Sequence, residues 1–363
     1  MSSFWQRRGM IRKGIVCALI CALILLVQVV CGPGVLAQSG RRLEPAAESV
    51  GQGSGAAEDT DVVRVRTEEV LLPVSVRDAT GAPVAGLGRD SFFVYDNGVR
   101  QEINSFNRER IPANIVLLLD ASGSVFGKMR LIREAAKRFI QGLQAEDKVC
   151  VMQFADKVEL LQDWTGASEQ KPLLKSLEWR YHAGLSTAFY DGLYLAAQQQ
   201  LSKVEGRRLI ILLTDGIETA ERRRASYEDA LSAVRRQGAS VYVVSLTASL
   251  RALLEEQTCG GKWSSILACG YDPSQVSRSL SIIEGAEKLL TGLALQTGGR
   301  IFLPVKEEDL GPAYSAIAEE LRTQYIITYR PHPKGAAGNW RRVRVLVSPG
   351  GYEVAAREGY TVQ

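Results

Sequence analysis

Histidine is nearly absent from this chain: its 363 residues include two, His182 and His332. That scarcity argues against a serine hydrolase, whose nucleophile needs a base beside it, and against zinc held by cysteine and histidine. No Gly-x-x-x-x-Gly-Lys phosphate loop, zinc-protease helix or Gly-x-Ser-x-Gly elbow is present. Metal-assisted hydrolysis is not removed by these absences, but it has no candidate general base. A surplus of positive charge is also lacking. The formal net charge is +4, and Arg7, Arg8, Arg12 and Lys13 account for it with no acid among the first thirteen residues. The remainder is close to neutral, so no nucleic-acid partner is implied.

What is there begins with an uncharged apolar run from Gly14 to Val30, followed by small residues around Val35-Leu36-Ala37. Residues 1–37 read as a cleaved export signal, with an uncleaved membrane anchor as the rival because the run approaches spanning length. Val30 is bulkier than a lipidation site before Cys31 accepts. The mature chain is then periplasmic, cell-surface or secreted, and it meets a membrane only if the leader is kept. Residues 38–61, rich in Gly, Ala, Ser, Glu and Pro, form a flexible linker.

Residues 62–110 carry short alternating apolar runs, among them Phe92 to Tyr95 and Val99 to Phe106 around Asp96-Asn97-Gly98. Asn-Gly between two such runs is a strong hairpin signal. A second β segment, 324–363, holds Tyr325 to Tyr329, Val343 to Val347 and Tyr352 to Ala355. Each segment is too small for a confident core of its own, so the two are expected to pack as one small β-sandwich-like domain with residues 111–323 inserted between them. Those 213-odd residues, roughly one domain by length, alternate strands and helices, the pattern of a doubly wound, mostly parallel α/β sheet.

Within that region the uninterrupted run Ile115 to Leu119 reads as a strand buried on both faces, ending in Asp120-Ala121-Ser122-Gly123-Ser124. A second apolar strand, Leu209 to Leu213, ends in Thr214-Asp215-Gly216. Ligands of open α/β sheets sit outside the carboxyl ends of the strands, where both aspartates fall. One carboxylate with two neutral hydroxyls suits Mg²⁺, a hard ion with oxygen ligands. The bland reading, an Asp or Ser helix cap, accounts for one oxygen of this group.

These residues resemble a von Willebrand factor A domain: Asp120, Ser122 and Ser124 match the Asp-x-Ser-x-Ser of its metal-ion-dependent adhesion site. Thr187, in Ser-Thr-Ala-Phe-Tyr-Asp-Gly-Leu, and Asp215 match its two distant elements. The resemblance runs from about Asn114 to Thr323. It implies a Mg²⁺ (or Mn²⁺) site built from Asp120, Ser122, Ser124, Thr187 and Asp215, completed by an Asp or Glu of a protein ligand. The whole layout resembles an exported bacterial A-domain group described from Acidobacteria, through Val94-Tyr95-Asp96-Asn97-Gly98 and Gln324-Tyr325-Ile326-Ile327-Thr328-Tyr329-Arg330-Pro331.

Residues 248–280 depart from that pattern as an insertion. In an exported protein its Cys259 and Cys269 are expected to pair, a bridge worth roughly 2–3 kcal/mol, whereas Cys150 reads as a buried apolar side chain. Arg222, Arg223 and Arg224 read first as a solvated helix approach and second as part of a face above the metal. Tyr181, Trp164 and Trp179 read as packing, and Asp156 and Asp163 as minor candidates for the rim. The resulting expectation is a non-enzymatic, metal-dependent binding or adhesion module. A structural envelope subunit with a stabilising metal is the alternative, and a metal-dependent hydrolase is the weakest of the three.

Overall fold

A computed structural model describes residues 69–107, 111–258 and 272–362. The expected leader, linker and Cys259–Cys269 bridge lie outside the described residues.

The molecule is organised around β5 (Ala113–Asp120), whose residues 115–119 are fully buried. It runs parallel to β6 (Lys148–Phe154) on one side and β8 (Arg207–Thr214) on the other. Beyond β8 come β9 (Ser240–Ser245) and the short β10 (Ile301–Phe302), also parallel, while β7 (Val158–Gly166) is antiparallel and forms the other edge. Successive side chains of β5 point to opposite faces, and each face meets its own helices. Ile115, Leu117 and Leu119 pack with α1 (Met129–Gln141), α2 (Gln170–Trp179) and the last helix, α7 (Leu310–Thr323). Val116 and Leu118 pack with α3 (Phe189–Leu195), α4 (Tyr227–Arg236) and α6 (Pro273–Thr297). Burial on both faces is why β5 reads as one apolar run rather than an alternating strand.

Helix ends follow local chemistry. Ser226 and Asp229 form a reciprocal capping box on α4. Asp272 caps α6 with Pro273 in its first turn, and Gly298, at φ +74°, ends it. Within the expected insertion the structure places α5 (Thr247–Gln257) and the first turns of α6, which starts at Pro273.

The flanking segments combine. β1 (Val70–Arg77) pairs with β11 (Tyr325–Tyr329) and β13 (Glu353–Ala355), and β11 also pairs with β4 (Ile103–Asn107). β12 (Trp340–Val347) pairs with β2 (Phe92–Asp96) and β14 (Gly359–Thr361), and β2 continues into β3 (Val99–Gln101). Each four-stranded sheet thus mixes strands from both sides of the α/β unit and shares one apolar core, with Leu72, Val74, Val94, Ile327 and Tyr329 inside. The β2–β3 turn has Asn97 at φ +48° and Gly98 at φ +82°, the two positive values of a type I′ hairpin. Glu320 of α7 ties the two layers together: buried, it accepts from Ser75 (2.7 Å), Tyr242 (3.0 Å) and the guanidinium of Arg77.

Candidate metal centre

Parallel pairing of β5 with β8, in register Leu119 to Leu213, sets Asp120 beside Thr214 and Asp215 at the carboxyl edge of the sheet. Asp120 Oδ1 accepts from the backbone N–H of Ser122 (2.9 Å), and Oδ2 accepts from Thr214 Oγ1 (2.7 Å). Its carbonyl accepts from the buried Tyr181 hydroxyl. The Ser122 and Ser124 hydroxyls lie 3.0 Å apart, and Ser124 Oγ donates to Asp215 Oδ2 at 2.5 Å. Asp215 Oδ1 accepts from Ile217 N–H (3.0 Å). Ser124 and Asp215, 91 positions apart in sequence, therefore meet in one hydrogen-bonded chain of hydroxyl and carboxylate oxygens.

Thr187 comes in on a third loop. Gly184 N–H donates to Ala121 O (2.8 Å), and a Cβ on Gly123 would sit 3.2 Å from Leu185 O, so this loop lies directly on the Asp120–Ser124 turn. Asp156, at the end of β6, clamps it: Oδ2 accepts from Leu185 N–H (2.9 Å), and Oδ1 from Ser186 N–H (2.9 Å) and Ser186 Oγ (2.8 Å). Thr187 is nearly buried; its N–H donates to Thr219 Oγ1 (2.8 Å), and its carbonyl accepts from Thr219 and Ala220. Further along, Glu218 accepts from Tyr190 and Ala220 N–H, and Asp191 from Arg224 and Ala225 N–H. These acids fasten the loop after β8 to the loop before α3 through backbone donors. Sequence reading placed Asp156 low and gave Glu218 and Thr219 no role; the usable signal was Asp156's position just past a core strand.

Asp120 and Asp215 are both fully buried, and neither has an ion-pair partner among the described residues. Loss of water pushes the Asp120 carboxyl up to about 7, with the nearby Asp215 charge pushing the same way. Burial raises Asp215 as well, against its hydrogen bond from Ser124. Among the described residues no group of three or more His, Cys, Asp or Glu forms a metal cluster, so a cation here would need the serine hydroxyls too. The donor set fits one: hard oxygens, with two buried carboxyl groups that a cation would favour in their ionised form.

Residues 114–262 match the family model of the von Willebrand factor type A domain. Over those residues the chain is similar to an A domain. Domains of this family are commonly protein-interaction modules and typically bind a divalent metal. An uncharacterised protein of Synechocystis is 32% identical over 109 residues, covering 30% of this chain and 26% of that protein. The chain thus spans about a quarter of that relative's length. Among solved structures, a von Willebrand factor type A protein from Catenulispora acidiphila aligns over 83% of this chain and 75% of its own at 13% identity, TM-score 0.41. The PilB minor pilin of Streptococcus sanguinis aligns over 60% of this chain and 63% of its own at 14% identity, TM-score 0.41.

Proposed function

We propose that this A domain, with boundaries at residues 111 and 323, is an exported module that binds a protein ligand through Mg²⁺ or Mn²⁺. The supporting observation is the single chain of oxygens from Ser122 Oγ through Ser124 Oγ to Asp215 Oδ2, set on adjacent core strands. Ser122 and Ser124 would hold the ion directly, and Asp120, Thr187 and Asp215 directly or through water. Bound there, the ion supplies a Lewis-acidic position that an Asp or Glu of the partner completes. Thr214 and the Ser122 N–H orient the Asp120 carboxylate, and Tyr181 fixes the backbone beneath it.

The export half of the proposal rests on the basic and apolar leader in residues 1–37. Substitution Asp120→Ala tests the metal half. Loss of Mg²⁺ binding by calorimetry, together with loss of EDTA-sensitive capture from an envelope extract, supports the reading when the melting temperature is kept. Capture that survives Asp120→Ala and EDTA would defeat it. The full burial of both carboxylates favours one second reading, a metal that mainly rigidifies a structural envelope subunit; equal loss of stability and capture is its signature.

A further inference from the structure

The loops that build the centre also carry side chains that none of its oxygens need. Phe126, two positions beyond Ser124, is 65% exposed, and Leu185, two before Thr187, is 86% exposed. They are the two most exposed large apolar side chains near the centre, and the Leu185 backbone is held by Asp156. From the loop after β8 come Arg222, Arg223 and Arg224, all exposed. This loop is tied down on both sides of them: Thr219 and Ala220 N–H bond Thr187, while Arg224 and Ala225 N–H bond Asp191. Arg223 lies over the Tyr190 ring, 5.9 Å from its centroid. Glu218 points its oxygens at backbone donors, leaving Glu221 as the exposed acid against three arginines. Neither Arg222 nor Arg224 has an ion-pair partner among the described residues.

Resting on the metal-dependent reading above, we propose that the partner presents a cluster of acids rather than a single one. It is a peptide segment with one carboxylate for the metal, an apolar side chain beside it for Phe126 and Leu185, and further carboxylates for the Arg222–Arg224 loop. Charge complementarity carries the argument. Three exposed guanidiniums on a fastened backbone, within a few residues of the Thr187 contact, make a basic rim, and planar guanidiniums pair well with carboxylates.

The test uses the full chain and two short fluorescent peptides, one with a Leu-Glu pair alone and one with the same pair followed by two further glutamates. Anisotropy is read in Mg²⁺ and in EDTA, at low and high salt. The expected result is Mg²⁺-dependent binding of both, with the acidic-cluster peptide tighter by roughly fivefold at low salt and less at high salt. Combined Arg222→Ser, Arg223→Ser and Arg224→Ser should erase that preference and leave the Leu-Glu peptide unchanged, while Leu185→Ser should weaken both peptides alike. Equal Mg²⁺-dependent binding of the two peptides overturns the inference and leaves the metal-dependent reading standing. Absence of any Mg²⁺-dependent binding overturns both. Cluster-peptide binding that persists in EDTA, or a preference for anionic phospholipid vesicles over either peptide, also overturns the inference.

Discussion

In EDTA, the α/β unit should lose stability as pH rises through the range in which Asp120 ionises. Its carboxyl sits at about 7 when folded, against an ordinary 3.8, because burial and the Asp215 charge disfavour the anion. Between those values the folded state keeps a proton that the unfolded chain releases. The contribution is therefore complete below the unfolded value and disappears as pH climbs to the folded one. About three pK units correspond to roughly 4 kcal/mol as an upper bound, at about 1.4 kcal/mol per unit. For a protein of this size, with about 2–4 °C per kcal/mol, the metal-free melting temperature should drop by roughly 5–10 °C between about pH 5 and about pH 7. Mg²⁺ at about a hundred times its Kd should restore about 2.7 kcal/mol near neutrality, and less at acid pH, where protons compete for the same oxygens. The assay is thermal unfolding across pH in EDTA and in Mg²⁺. Asp120→Asn isolates the group: its oxygen still accepts from Ser122 N–H, and its amide can donate to the Thr214 hydroxyl in place of the bond received there. That variant should raise the metal-free melting temperature near neutral pH and abolish the Mg²⁺ shift. A variant less stable than the parent in EDTA at neutral pH, or a parent whose metal-free stability ignores pH, would refute the reasoning.

Asp156→Ala removes three hydrogen bonds from the Leu185–Ser186 turn while leaving the core intact; calorimetry should show Mg²⁺ affinity down about tenfold with stability changed by only about 1 kcal/mol. Gly216→Ala puts a side chain at φ +72°, with its Cβ 2.7 Å from Leu290 Cδ1. The strain, about 1–3 kcal/mol, falls next to Asp215, so chemical denaturation and Mg²⁺ titration should both show a loss. Glu320→Ala strands the buried Arg77 beneath the β layers; urea unfolding should register a cost of roughly 3–5 kcal/mol, with Glu320→Gln recovering part of it.

The α/β class was legible because its core strands are written without interruption. Ile115 to Leu119 and Leu209 to Leu213 have apolar partners on both faces. Asn97-Gly98 marked a hairpin for a reason the backbone shows, two consecutive positive φ values. The start of α6 was also available, since Asp272-Pro273 is a cap followed by a first-turn proline, but the Gly- and Ser-rich surroundings masked it. Glu320 was not available. On a helical wheel it belongs among solvated acids, and it is satisfied by Tyr242 of β9 and by the strand carrying Ser75 and Arg77, some 245 positions away in sequence. Non-local pairing of this kind has no local signal.

The same distinction separates the oxygens at the centre from the groups that hold them. Asp120, Ser122 and Ser124 share a five-residue stretch and announce themselves by type and spacing. Asp156, Asp191, Glu218 and Thr219 are single residues in ordinary loop composition, and their effect lies in which backbone N–H groups the fold brings to them. These side chains fasten the three loops by accepting from backbone donors, and of the three exposed arginines nearby Arg223 alone feels the Glu218 charge. The centre's geometry is thereby separated from its rim. Substitutions at Arg222 should alter which partner is held, those at Leu185 how tightly any partner is held at unchanged Mg²⁺ affinity, whereas substitutions at Asp156 or Glu218 should alter whether anything is held at all. Two variant pairs assayed for both Mg²⁺ affinity and peptide preference would show that separation, and a change in Mg²⁺ affinity on Arg222→Ser would contradict it.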